Sequence, residues 1–157
     1  MGLQSAVKSV YTERSGRTLR RVGVVSELVN GATVNLFTIT GGPIIATMFG
    51  VVTAAGDGAN ATTVQLRNGA TVMGLASGAI TNVLVGMHLN PTGAVGVAIA
   101  ISAGVLVGVY HPTNKWSLGV GTVNILVGGA TQTALGAVID WYLTWEPALP
   151  AATVAVV

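Results

Sequence analysis

Two histidines, His88 and His111, and five carboxylates, Glu13, Glu27, Asp57, Asp140 and Glu146, are the side chains on which acid–base or metal chemistry would have to rest. The chain has no cysteine, so disulfides, thiolate zinc sites and cysteine nucleophiles are excluded. His88 stands just ahead of Asn90-Pro91 and His111 just ahead of Pro112, with no acidic residue near either in sequence, which reads as turn or strand-end placement. Asp140 and Glu146 lie on one face of an extended segment, which separates their carboxyls by about 20 Å, too far to flank one bond. No G-x-S-x-G elbow offers a nucleophile. Gly119-Val120-Gly121-Thr122-Val123-Asn124 opens like a dinucleotide loop but lacks the third glycine and a following helix, and Asp57-Gly58-Ala59-Asn60 has too few oxygen ligands to hold calcium. The expectation is a protein that is not an enzyme, with no catalytic residues, no metal, no cofactor and no small-molecule substrate.

The charges that do exist are unevenly placed. Lys8, Glu13, Arg14, Arg17, Arg20 and Arg21 fall in the first 21 residues, and the remaining 136 residues carry only six charged side chains. A body with so little charge needs its surface covered, by copies of itself or by a partner, and a basic arm is a means of reaching that partner. Tyr11 is the arm's one aromatic residue and no nucleic-acid module follows it, so nucleic acid is not the expected partner. The N-terminus has no signal-peptide form, because Tyr11, Thr12, Glu13 and Arg14 stand where an apolar run should follow Lys8.

The elements that would position these residues are strands. Asn30-Gly31, Gly41-Gly42-Pro43, Asp57-Gly58, Asn68-Gly69, Asn90-Pro91, Pro112-Thr113-Asn114 and Gly128-Gly129 punctuate the chain with turn chemistry. Segments rich in valine, isoleucine and threonine lie between them: 33–40, 44–53, 62–67, 95–102, 105–110, 122–127 and 137–146. Seven or eight short strands without helical periodicity imply an all-β protein, an antiparallel β-sandwich or barrel of jelly-roll-like type. Residues 1–29 are expected to form an extended N-terminal arm and residues 30–157 the body. Residues 70–85 fit a strand pair or a small helical insertion, with strands favoured.

The uncharged run from Gly93 to Tyr110 is long enough for a membrane helix, but its large residues fall on odd positions from Val95 to Val109 and its small ones mostly on even positions. That period of two belongs to a strand with unlike faces, so no membrane span is expected. In the last segment Ile139, Trp141, Leu143 and Trp145 share one face, expected to anchor the core or a subunit interface, at about 200 Å² and several kcal/mol for each tryptophan. Asp140, Tyr142, Thr144 and Glu146 share the other, expected to meet water.

Two stretches carry a resemblance: Leu36-Phe37-Thr38-Ile39-Thr40-Gly41-Gly42-Pro43-Ile44, and Gly136-Ala137-Val138-Ile139-Asp140-Trp141-Tyr142-Leu143-Thr144-Trp145-Glu146-Pro147 with its tail Ala151-Ala152-Thr153-Val154. Over roughly residues 30 to 157 the chain resembles head decoration, or capsid cement, proteins of tailed bacteriophages. The resemblance implies a β-rich virion protein on the outer face of the capsid, commonly a homotrimer that reinforces joints between major capsid subunits, and present in the host cytoplasm before assembly. No catalytic residue carries over. In that setting Lys8, Arg14, Arg17, Arg20 and Arg21 are expected to meet acidic capsid surface, the arginines through bidentate pairs with carboxylates. A trimeric tail-fibre, baseplate or receptor-binding module, touching a host through loops near Asp57, Asn90 and Asn114, shares the same sequence properties.

Overall fold

Several runs of branched side chains bounded by turn residues extend as strands. The computed structural model describes residues 17–91, 96–101, 115–132 and 136–157. Among them are eleven strands and no helix: β1 (Arg17–Arg21), β2 (Thr33–Thr40), β3 (Ile44–Ala54), β4 (Thr62–Asn68), β5 (Thr71–Val72), β6 (His88–Asn90), β7 (Ala100–Ile101), β8 (Trp116–Leu118), β9 (Gly121–Gly129), β10 (Val138–Pro147) and β11 (Thr153–Val156). Two antiparallel sheets pack together as a β-sandwich. One has the order β1-β10-β3-β6-β7, with β8 alongside the opening residues of β3, and the other the order β11-β2-β9-β4-β5.

The core is the sum of the inward positions of the long strands. Leu36, Phe37 and Ile39 of β2, Ile44, Met48 and Val52 of β3, Val64 and Leu66 of β4 and Val123, Ile125 and Val127 of β9 are all buried. Ile139, Trp141, Leu143 and Trp145 of β10 join them and are enclosed within the single chain, at no more than 4% exposure. The bulk of Trp141 is accommodated by its cross-strand partner Gly50, where an added Cβ would stand 3.2 Å from the indole and 2.9 Å from Ile139. Glycine is needed there for space.

Turn chemistry does two kinds of work. Asn68-Gly69 makes the tight hairpin its sequence predicts, joining β4 to β5 with Asn68 opposite Thr71 and Gly69 at φ 60. Gly41-Gly42-Pro43 instead carries the chain from one sheet to the other, between β2 and β3.

Three expectations change. First, the boundary of the arm at residue 29 does not hold, because Arg17–Arg21 is strand β1, paired residue for residue with Trp145–Trp141 of β10, and Leu28 is buried in the core. The basic pentapeptide can join a sheet because Leu19 packs against the core while carboxylates elsewhere in the chain receive Arg20 and Arg21. Second, within 70–85 only Thr71–Val72 is a strand. The chain then follows the edge of β4 irregularly, with the N–H groups of Met73, Ser77 and Ile80 donating to the carbonyls of Leu66, Val64 and Thr62, before Val83 and Met87 accept from Gly56 and Val52 and lead into β6 on the other sheet. Third, of the alternating run 94–110 the described part is 96–101, where Ala98 bridges to Leu75 and only Ala100–Ile101 forms a strand. Residues 102–114, and with them His111, lie outside the described residues.

Candidate functional site

Of the polar groups that sequence reasoning singled out, Arg17, Arg20, Arg21 and Asp140 come together where β1 lies against β10. Asp140 points to the outer face of the first sheet, yet it is 1% exposed and does not meet water as expected, because β1 and the chain beyond it cover it. Its Oδ2 accepts from Arg20 Nε at 2.9 Å and Nη2 at 2.5 Å, and its Oδ1 accepts from the backbone N–H of Gly23 at 2.8 Å. The hydrogen bond to Asp140, and then its charge, raise the Arg20 guanidinium above its ordinary range, although that side chain is 54% exposed. A carboxylate with three donors on it, two from a guanidinium, fixes both the register of β1 and the direction of the chain leaving it.

A second pair closes the inner side of the same edge. Arg21 Nη1 donates to both carboxylate oxygens of Glu27, at 2.8 and 2.6 Å, with the two side chains only 11% and 10% exposed. The partners are six residues apart, so the pair clasps the turn between them. Toward the other end of β1 the hydroxyls of Thr18 and Thr144 are 2.9 Å apart, and the Arg17 guanidinium lies 5.7 Å from the ring centre of Trp145. Arg20 and Arg21, expected to seek carboxylates on a capsid, find them within the chain. Arg17 remains exposed, while Lys8 and Arg14 lie outside the described residues.

Beyond Arg20 the outer face of the sheet carries a row of rings. The Arg20 guanidinium is 5.9 Å from the Tyr142 centroid, Tyr142 and Phe49 stack at 4.9 Å with 6° between planes, and Phe49 and His88 follow at 6.0 Å. Tyr142 thus lies between the Arg20 guanidinium and Phe49, and Phe49 between Tyr142 and His88. At the far end of β3 and β10 a cleft of about 100 Å³ is lined by Ile45, Ala46, Thr47, Thr144 and Trp145. Lys115 and Glu146, 2.7 Å apart, also line it. Comparison of the chain with protein-family models, with curated proteins and with solved structures finds no match.

His88 is the first residue of β6, and Asp140 and Glu146 stand at opposite ends of β10, apart as their spacing requires. Among the described residues no group of three or more His, Cys, Asp and Glu side chains comes close enough to hold a metal ion, and no helix is long and apolar enough to cross a membrane. Asp57 caps its own turn, with Oδ1 accepting from the N–H groups of Ala59 and Asn60. Gln132 was missed: 3% exposed, it accepts from the N–H groups of Asp57 and Ala137 and donates to Asn60 O and to Thr62 Oγ1, tying the β3–β4 connection and the start of β4 to the β9–β10 connection. The anchoring role of Asp140 was missed as well. The signal for it was the period-two placement of Thr18 and Arg20 around Leu19, the pattern of a strand and not of a solvated tail.

Proposed function

We propose that this chain is a structural protein of a tailed-bacteriophage virion that binds the outer face of the capsid as a homo-oligomer, a trimer being expected, and cements adjacent major capsid subunits. The observation that carries the reading is the anchoring of β1. The strand that continues the basic N-terminal residues is held to β10, the strand of the two core tryptophans, by five register pairs and by the bonds that Asp140 accepts from Arg20 and Gly23. A load on the N-terminal segment is thereby passed to the core, which is what a cement needs.

The sparse charge of the body and the resemblance of residues 30 to 157 support the same reading. Its partners are the major capsid protein and other copies of the chain. Catalysis, cofactors, small-molecule substrates, nucleic acid and membranes have no part in it, and the protein would reside in the host cytoplasm before assembly. With Arg20 and Arg21 satisfied internally, the capsid contacts fall to Lys8, Arg14 and Arg17. Residues 1–16 span at most about 55 Å when fully extended, enough to cross to a neighbouring subunit.

Quantitative mass spectrometry of purified virions tests the reading through copy number relative to the major capsid protein. One copy, or one trimer per few capsid subunits, is expected; a handful of copies, as in a tail fibre, or none would overturn it. Deleting residues 2–16 leaves β1 whole and should abolish capsid binding with circular dichroism unchanged, and retained binding would refute the role of the basic segment.

A further inference from the structure

The surface that receives β1 is fully specified by the strand already lying on it, and nothing in its chemistry requires that strand to come from the same chain. β1 is an edge strand with β10 as its one strand neighbour among the described residues, and Arg20 and the Asp140 that holds it are 120 positions apart in sequence. The stretch that follows β1 divides into two parts by what each is fastened to. Residues 17–23 belong to the β10 surface, through five register pairs, the bonds of Asp140 to Arg20 and Gly23, and the close seat of Gly23, where an added Cβ would stand 2.5 Å from the carbonyl oxygen of Ile139. Leu28 belongs to the body, buried in the core with its carbonyl accepting from the N–H of Gln132 at 3.0 Å. Between them the turn at residues 24–26 is weakly made: the Glu27 N–H reaches the Val24 carbonyl at a long 3.4 Å, and Ser26, at φ 66, is the one non-glycine residue with positive φ among those described. A residue with a Cβ is strained there.

We propose that β1 is an exchanged strand: each copy lays its β1 on the β10 of a neighbouring copy, so that the bonds which close one chain join two. Every contact of residues 17–23 is re-made in the exchange, including the bidentate Arg21–Glu27 pair, which then links Arg21 of one copy to Glu27 of the next. What changes is the turn at 24–26, where one long hydrogen bond is lost and the strain at Ser26 is released. Exchange of an identical element is a low-cost route to an oligomer for this reason. The reach is sufficient, since the four steps from Gly23 to Glu27 span about 14 Å when extended, close to three strand spacings, so the neighbour's sheet edge can stand beside the donor's own. Because each copy gives one strand and accepts one, the exchange closes as a reciprocal pair or as a ring, a ring of three among them. This rests on the assembly reading and deepens it by naming the contact that joins copies.

Cross-linking of the full chain shows which copy supplies the strand. The sequence has no cysteine, and the hydroxyl oxygens of Thr18 and Thr144 stand 2.9 Å apart in register, so a Thr18→Cys/Thr144→Cys variant places two thiols across the β1–β10 contact and nowhere else. After oxidation, electrophoresis without reductant should show chains joined to one another, in the number that sedimentation gives for the unlinked oligomer. Chains joined only to themselves would overturn the exchange: with an oligomer still seen in sedimentation the assembly reading stands without it, and with a monomer self-association fails as well. A short bismaleimide joins the same thiols where a disulfide does not form, so the outcome is independent of disulfide geometry. The single variants Thr18→Cys and Thr144→Cys, refolded together from urea, should give the mixed cross-link in preference to either homodimer, and its absence between folded chains would equally overturn the proposal. Ser26→Gly, which takes the closed turn without strain, should lower the interchain fraction roughly fivefold, and an unchanged fraction would refute the role of the hinge.

Discussion

Breaking the Arg21–Glu27 clasp should cost more when one partner is removed than when both are. Both side chains are about nine-tenths buried, and two hydrogen bonds join them. Fully buried pairs lose about 3–5 kcal/mol when one member is deleted, because the other is left charged and unpaired, whereas exposed pairs lose about 0–1 kcal/mol. At roughly 10% exposure the expected cost is about 2 kcal/mol for Arg21→Met and about 2 kcal/mol for Glu27→Leu, with the double variant within about 1 kcal/mol of wild type. The resulting coupling of about 3 kcal/mol is at the upper end for a contacting pair. Because β1 has a strand on only one side among the described residues, it can open without the rest of the sandwich, and part of the loss will then be invisible to global unfolding. The assay therefore pairs urea denaturation with hydrogen exchange at the amides of Thr18–Arg21. Additive effects in both measurements, or single-variant costs below about 0.5 kcal/mol in both, would refute the argument that these groups are desolvated partners.

Two further outcomes follow from the same strands. Gly50→Val should destabilise the sandwich by about 1–3 kcal/mol or more in urea and shift tryptophan fluorescence, since its side chain would occupy space now held by Trp141 and Ile139; a neutral effect would refute the packing argument. Arg20 is raised above its ordinary range by Asp140, so the stability it adds is fully present below that range and is lost only as pH climbs through the raised value. Wild type and Arg20→Gln should accordingly differ by the same amount at pH 7 and pH 10 in urea titrations, and a gap that closes by pH 10 would contradict this.

Strand positions were legible in the sequence where one face had to be buried. The segments 33–40, 62–67, 122–127 and 137–146 emerge as β2, β4, β9 and β10 within a residue or two, because alternation and turn residues both report on a buried face. The division of Ile139, Trp141, Leu143 and Trp145 from Asp140 and Tyr142 was legible for the same reason. What alternation could not convey is which strand lies beside which. Asp140 looked solvent-facing because its cover, β1, comes 120 residues earlier and reads in isolation as a charged tail. Short strands of two or three residues, such as β5, β6 and β8, have too few positions to show a period, and Gln132 is a hub only because Asp57, Asn60 and Thr62 reach it from 70–75 positions earlier in the chain.

The place of β10 in its sheet sets the order in which the molecule can be completed during synthesis. Both neighbours of this strand, β1 and β3, leave the ribosome long before it does, and Arg17 must wait for Trp145 to find its partner. Until then β1 has no strand to pair with and the first sheet lacks its tryptophan layer, so a chain interrupted before residue 138 exposes apolar surface and holds its basic segment on nothing. Only a polypeptide that extends through β10 can anchor its own β1, so the first charged strand of the sandwich is among the last to find its place.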